Sequence, residues 1–203
     1  MDTIYAHEFN EMGQREFASL FNAISGAKPA FLVGSGMGAD ENLAVFNSIT
    51  HIGSNPPLLG FIQRPTSVER NTYNNIKIYK QYSFNLVTES FYKQAHQTSA
   101  RYDKGTSEFD QTGLTAEYKD GSKCPFVSES PLHITLELTD DIEIKSNNTR
   151  LIIGKVLSIS KSKSGHKGEN SLDFEALKGI NVSGLSEYYK LTKIASLPYA
   201  KTY

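Results

Sequence analysis

Apolar side chains recur at three- and four-residue spacing between residues 10 and 25, where Phe17, Leu20, Phe21 and Ile24 share one face and Gly26 follows as a stop. This pattern predicts an amphipathic helix. Short apolar runs then alternate with Gly-rich or Asn-Pro-Pro segments at residues 30–33, 43–49, 58–63 and 83–87, and these read as strands. Helical spacing returns over residues 70–82, with Tyr73, Ile76 and Lys80 on one side, and again over residues 89–101. Residues 132–144 and 150–160 have strand character and flank a Ser146-Asn147-Asn148 turn, so they are expected to pair as a hairpin. The Lys/Ser/Gly-rich run 160–168 reads as a mobile surface loop.

Many short strands, few helices and no internal repeat predict a mainly β fold with a few helices. A closed or partly closed barrel suits it better than a parallel sheet, because closure removes the exposed edges of a long antiparallel sheet. A chain of 203 residues fits a single domain, 1–203. Lys plus Arg (21) balances Asp plus Glu (22), which excludes a diffuse basic surface for nucleic acid. The acidic and polar start lacks the basic, then apolar, order of a secretory signal, and no run approaches the ~18 apolar residues of a membrane helix. A soluble, cytoplasmic protein with no membrane partner is the expectation. Cys124 is the only cysteine, which excludes an internal disulfide or a multi-thiolate metal site, and its Lys/Pro/Gly/Ser surroundings predict an ordinary surface thiol.

Gly34-Ser35-Gly36-Met37-Gly38-Ala39 formally satisfies G-x-G-x-x-A. A pyrophosphate site needs a helix to open there, yet residues 43–46 read as a strand, and no acidic residue follows at ribose distance over residues 53–61. A hairpin turn is the better reading. Walker, G-x-S-x-G and H-E-x-x-H patterns are absent from the sequence.

The informative block runs from Asn42 through Asn47-Ser48-Ile49-Thr50-His51 and Asn55-Pro56-Pro57 to Phe61, then Gln63-Arg64-Pro65 and Arg70-Asn71-Thr72-Tyr73-Asn74-Asn75-Ile76. With residues 82–87, 95–100, 107–109, 113–114, 154–156 and the closing 184–200, it resembles the flavin reductase-like, FMN-binding split-barrel family, specifically its flavoredoxin-like branch. Asn55 and Asn71 stand where that family often has Asp.

FMN combines a planar ring, polar along one edge, with a dianionic phosphate, so its site needs a flat wall with exposed amides and a separate anion pocket. Asn47, Ser48, Ile49 and Thr50 can supply the wall; Arg64, Arg70 and Thr72 can supply the pocket, since guanidinium forks match phosphate oxygens and a helix start adds free N–H groups. The resemblance alone adds Gln63, Pro65, Thr98 and Ser99. Singly, each suits an ordinary strand, cap or surface role; together, in this order, they describe a flavin site. His51 and His96 lack close ligand spacing, which favours packing or a place beside the flavin over a metal, and His133 on an alternating strand reads as structural.

The resemblance implies a homodimer with FMN, an NAD(P)H co-substrate, and electron delivery to free flavin, oxygen or a partner such as an oxygenase. Hydride transfer asks the protein for alignment more than for acid–base groups, so no catalytic side chain is singled out. The alternative is a non-enzymatic FMN electron carrier that never uses NAD(P)H productively.

Overall fold

A computed structural model describes residues 1–103, 105–119, 121–165 and 171–202. The chain opens with a 3₁₀ turn, Ala6–Glu11, and helix α1, Gln14–Ala23. Strands β1 (Lys28–Pro29), β2 (Phe31–Ser35), β3 (Asn42–Phe46), β4 (Thr50–Ser54) and β5 (Pro57–Gln63) follow, then α2 (Asn71–Tyr79), β6 (Gln81–Leu86), α3 (Tyr92–Gln97) and α4 (Glu108–Thr112). The remainder is β7 (Ala116–Glu117), β8 (Phe126–Val127), the long pair β9 (Leu132–Ile144) and β10 (Thr149–Lys161), and β11 (Ile180–Ser183) with β12 (Glu187–Lys190).

The main sheet has the order β3-β2-β6-β9-β10-β5-β4, antiparallel throughout. Its two end strands, β3 and β4, are consecutive in the chain and joined only by residues 47–49. Four Cα steps span at most ~15 Å, so the two edges of a seven-stranded sheet are held close together. The sheet must curl upon itself, and the result is a barrel split along one seam. A separate sheet, β1-β11-β12, lies beside it.

Alternation along the strands fills the barrel. Phe31 and Val33 on β2, Tyr82, Phe84 and Leu86 on β6, and Leu132, Ile134 and Leu136 on β9 point inward, and Ile76 of α2 packs into the same cluster. The neighbouring residues Ala30, Leu32, Leu43 and Val87 face a second cluster with Phe91 and Ala95 of the α3 segment and Phe109 of α4. Every residue of β2 is therefore buried, which explains its continuous apolar reading.

Polar groups hold this arrangement in register. Asn85 donates to the Leu32 carbonyl and accepts from the Val127 amide, tying β8 over β2 and β6. The Glu108 carboxylate accepts from the Leu43 amide at 3.0 Å, covering an exposed donor on an end strand; burial pushes this carboxyl up. Lys119 donates to Nδ1 of buried His133, whose Nε2 is 2.8 Å from the Val127 carbonyl, so the imidazole is neutral and bridging. His133 is structural, as its strand position implies.

Asp141 on β9 latches α2 onto the β9–β10 hairpin, receiving bonds from Tyr73 (2.9 Å), Lys77 (2.9 Å) and Arg150 (2.5 Å). Burial opposes its ionisation, but the bonds from Arg150, Lys77 and Tyr73 outweigh it and hold the carboxyl below its ordinary range. Such a depressed group stabilises the fold above its unfolded pKa of about 3.9, and the stabilisation disappears as pH falls through the lower native value. Asp141→Asn is expected to cost about 1 kcal/mol in urea unfolding at pH 7. The gap from wild type should close at acidic pH; a gap unchanged down to pH 2 would remove the latch's electrostatic role.

Several expectations need correction. The strand expected at 43–49 ends at Phe46, because Asn47 and Ser48 leave the ladder, and β4 was not anticipated. The helix expected over 70–82 stops at Tyr79: Lys80 is left-handed (φ 58°) and donates to the Ile76 carbonyl, freeing Gln81 and Tyr82 for β6. The helix expected over 89–101 shrinks to α3, since the Thr98 and Ser99 hydroxyls take the Ala95 and His96 carbonyls. In the expected loop 160–168, β10 continues to Lys161 and Gly165 is buried against Leu177; residues 166–168 lie outside the described residues. Cys124 is not a surface thiol. It is fully buried, and burial pushes its thiol up to about 11.

The Gly34–Ala39 motif is the end of β2 and the start of the β2–β3 hairpin turn. Gly36 has φ +78°, and a Cβ there would stand 2.1 Å from the Asp40 carbonyl oxygen, so the turn itself demands glycine.

Candidate functional site

The seam residues come first. Asn47 donates from Nδ2 to the Gly184 carbonyl at 2.9 Å, anchoring the seam to the β11–β12 turn. Ser48 accepts from the Ile62 amide at 3.0 Å and sits 3.4 Å from the Ile62 carbonyl, so its hydroxyl stands in for the strand partner that β5 has lost. The register agrees, since Thr50 opposes Gly60 and two residues further along Ser48 meets Ile62. Ile49 packs against the barrel core. The side chains of residues 47–49 are thus committed, and what the seam presents outward is backbone together with the exposed Thr50.

Beyond the seam, β5 ends at buried Gln63, whose Nε2 donates to the Arg64 carbonyl at 3.3 Å. Its Oε1 is buried with no donor among the described residues. A buried acceptor without a donor costs about 1–3 kcal/mol, so this oxygen asks for a hydrogen-bond donor from outside the chain. Arg64 is exposed, and its guanidinium has no partner among the described residues. Arg70 donates from Nε to the Pro65 carbonyl at 3.3 Å, closing the 65–70 loop and leaving its two terminal amino groups uncommitted among the described residues.

Arg70 is also the N-cap of α2, with no side-chain cap. The first helical bond runs from the Asn74 amide to the Arg70 carbonyl, so the amides of residues 71–73 carry the unsatisfied positive end of the helix. The Arg70 guanidinium is carried by the N-cap residue of that end. The helix is fixed by buried polar contacts: Thr72 accepts from Asn42 at 2.9 Å, and Asn75 donates to the Asp40 carbonyl at 2.6 Å. Thr72 therefore holds the helix start against β3, with its hydroxyl turned to Asn42.

Gln63 lies beside the seam, and Thr72 is bonded to the first residue of β3. Five residue steps along β3 separate Asn42 from Asn47, so the 63–72 segment reaches across roughly 16 Å. It carries Arg64 and Arg70 between the seam and the start of α2. The Thr98 and Ser99 hydroxyls donate to the Ala95 and His96 carbonyls of their own helix, which packs over the outer face of β3. His51 is exposed on β4, 3.2 Å from Ser54, and among the described residues no three His, Cys, Asp or Glu side chains stand together as a metal site. Asn42 and the Gly184 carbonyl, which position the site, were missed because neither has a local sequence signature.

The model of the family described as "Flavin reductase like domain" matches residues 25–175. The fold is similar to a split-barrel-domain protein from Shewanella frigidimarina NCIMB 400 assigned as a flavin reductase, with 38% identity, coverage of 98% of this chain and 100% of that one, and a TM-score of 0.94. Nitrilotriacetate monooxygenase component B from Bacillus cereus shares the fold at 22% identity, covering 97% and 98% of the two chains, with a TM-score of 0.84. Flavoredoxin of Desulfovibrio vulgaris (Miyazaki F) does so at 19% identity, 86% and 92% coverage and a TM-score of 0.74.

Proposed function

The chain belongs to the flavin reductase-like domain family, and on that premise we propose that it is an FMN-binding NAD(P)H:flavin oxidoreductase that works as a homodimer and delivers electrons to free flavin, oxygen or a partner oxygenase. The observation that carries the proposal is the pairing of an orphaned buried acceptor, Gln63 Oε1, with the cationic start of α2. The residues present fit the cofactor. Arg64, Arg70 and the free amides of residues 71–73 neutralise a phosphate dianion. Gln63 Oε1, the backbone polar groups of residues 47–50 and the exposed Thr50 hydroxyl would hold the polar edge of the flavin ring.

When bound, the flavin supplies hydride acceptance and stepwise electron release. The chain's own part is to bind, orient and stabilise negative charge, which needs no general acid or base at the seam. The homodimer has its own support. Helix α1 buries none of its residues and shows Phe17, Phe21 and Ile24 to solvent, while Ile194 (99% exposed), Leu197 (87%) and Tyr199 (93%) lie along an extended tail. That much unpartnered apolar surface suits a second copy. The fold shared with nitrilotriacetate monooxygenase component B supports an oxygenase as the partner that receives reduced flavin.

Anaerobic mixing of the FMN-loaded protein with NADH and then NADPH tests the activity. The flavin absorption is expected to bleach with at least one of the two. Bands that persist with both would overturn the reductase reading in favour of an electron carrier.

A further inference from the structure

Outside the seam and the start of α2, a cleft of about 250 Å³ opens between α3 and the β12 region, lined by Tyr92, Lys93, His96, Ser186 and Tyr188. We propose that it holds the adenosine-phosphate half of the reducing dinucleotide, an assignment that rests on the oxidoreductase reading above. Size gives the first argument. Pockets that enclose a whole drug-sized ligand run from about 300 to 1,000 Å³, so this cleft suits one substituted ring system and leaves the nicotinamide half outside it.

Its walls suit an aromatic guest. The Tyr92 and Tyr188 rings stand 5.4 Å apart at 52°, and the His96 ring meets Tyr188 edge-on at 5.7 Å. His96 Nδ1 lies 2.9 Å from the Tyr188 hydroxyl, which fixes the ring that would bear the base. Stacking a base on such rings contributes about 1–3 kcal/mol.

The rim suits an anion. Among the described residues the Lys93 ammonium, the second ring nitrogen of His96 and the Ser186 hydroxyl have no partner. Of the nearby carboxylates, Glu89 is paired with Lys190 at 2.6 Å, and Glu187 accepts from the Tyr189 hydroxyl at 3.0 Å and keeps its charge. A ring with phosphates attached satisfies both halves of this surface.

The cleft also connects to the seam. Ser186 follows two residues after Gly184, whose carbonyl accepts from Asn47, and Tyr92 and Tyr188 pack against the same cluster as Val45 of β3.

ADP-ribose, titrated calorimetrically into the FMN-loaded protein, is the probe. Lys93→Glu reverses the rim charge and Ser186→Trp fills the opening; both positions are exposed, so folding should be kept. ADP-ribose affinity is expected to fall about tenfold with Lys93→Glu and to vanish with Ser186→Trp, FMN affinity staying the same. KM for NAD(P)H should rise in parallel while kcat holds. Wild-type protein that ignores ADP-ribose, variants that bind it as wild type does, or benzoate competing as strongly as ADP-ribose would each overturn the assignment. The two readings fail separately: ADP-ribose bound without flavin bleaching removes the reductase reading alone, and bleaching with ADP-ribose insensitive to both variants removes the cleft alone.

Discussion

Gly34→Ala is expected to lower stability by about 3 kcal/mol, at the upper end of what overpacking a core costs. Gly34 lies in β2 with its partner strands on both sides, and a Cβ there would stand 2.2 Å from the Pro125 carbonyl oxygen and 2.6 Å from Ser83 Oγ. Ser83 itself donates to that carbonyl at 2.6 Å, so neither neighbour can move without losing a buried bond. For a chain of this length the loss corresponds to a fall in melting temperature of roughly 10 °C. The experiment separates two meanings of the same glycine. A dinucleotide loop would lose nucleotide binding and keep its fold, whereas a packed hairpin strand loses its fold first; a thermal unfolding curve identical to wild type would contradict the packing described here.

Removing both guanidinium groups has the other large effect. Arg64→Ala combined with Arg70→Ala is expected to weaken FMN about 100-fold, close to 3 kcal/mol, because charge-assisted bonds to phosphate contribute more than neutral ones. Riboflavin, which has the ring and no phosphate, should bind the double variant and wild type alike. The fold should survive, since Arg64 is exposed and Arg70 contributes a single bond, to Pro65. A double variant that loses riboflavin and FMN equally would place the effect in the fold or the ring wall and not in an anion pocket.

Much of this was legible along the chain because it rests on local chemistry. Inward alternation over residues 83–87 and 132–136 marks the barrel strands, and the Ser146-Asn147-Asn148 turn marks the β9–β10 hairpin. The order Gln63, Arg64, Pro65, Arg70 runs, as read along the chain, from the end of β5 through a loop to the start of α2. What escaped depends on pairing across long separations. Residues 43–49 read as one strand because nothing local shows that Ser48 turns its hydroxyl to Ile62, 14 residues away, and that exchange is what opens the seam. Thr72 suits a phosphate ligand by type, and nothing local shows that its hydroxyl oxygen accepts from Asn42, 30 residues away. Nothing local shows that the Thr98 and Ser99 hydroxyls close the end of α3 at Gln97. Cys124 looked exposed from its neighbours, and only the packing of the 124–127 segment over Ser83 and Asn85 buries it. The Tyr92–Tyr188 cleft joins residues far apart in the chain and has no signature at all.

The central claim is that the seam and the start of α2 together hold a flavin by its ring and its phosphate. Titrating the wild-type protein with FMN and with riboflavin, each followed by quenching of flavin fluorescence, tests it most directly. The account predicts that both bind and that FMN binds more than about 100-fold more tightly, the difference being the phosphate's interaction with Arg64, Arg70 and the free helix amides. Equal affinities, or no quenching by either flavin, would contradict it.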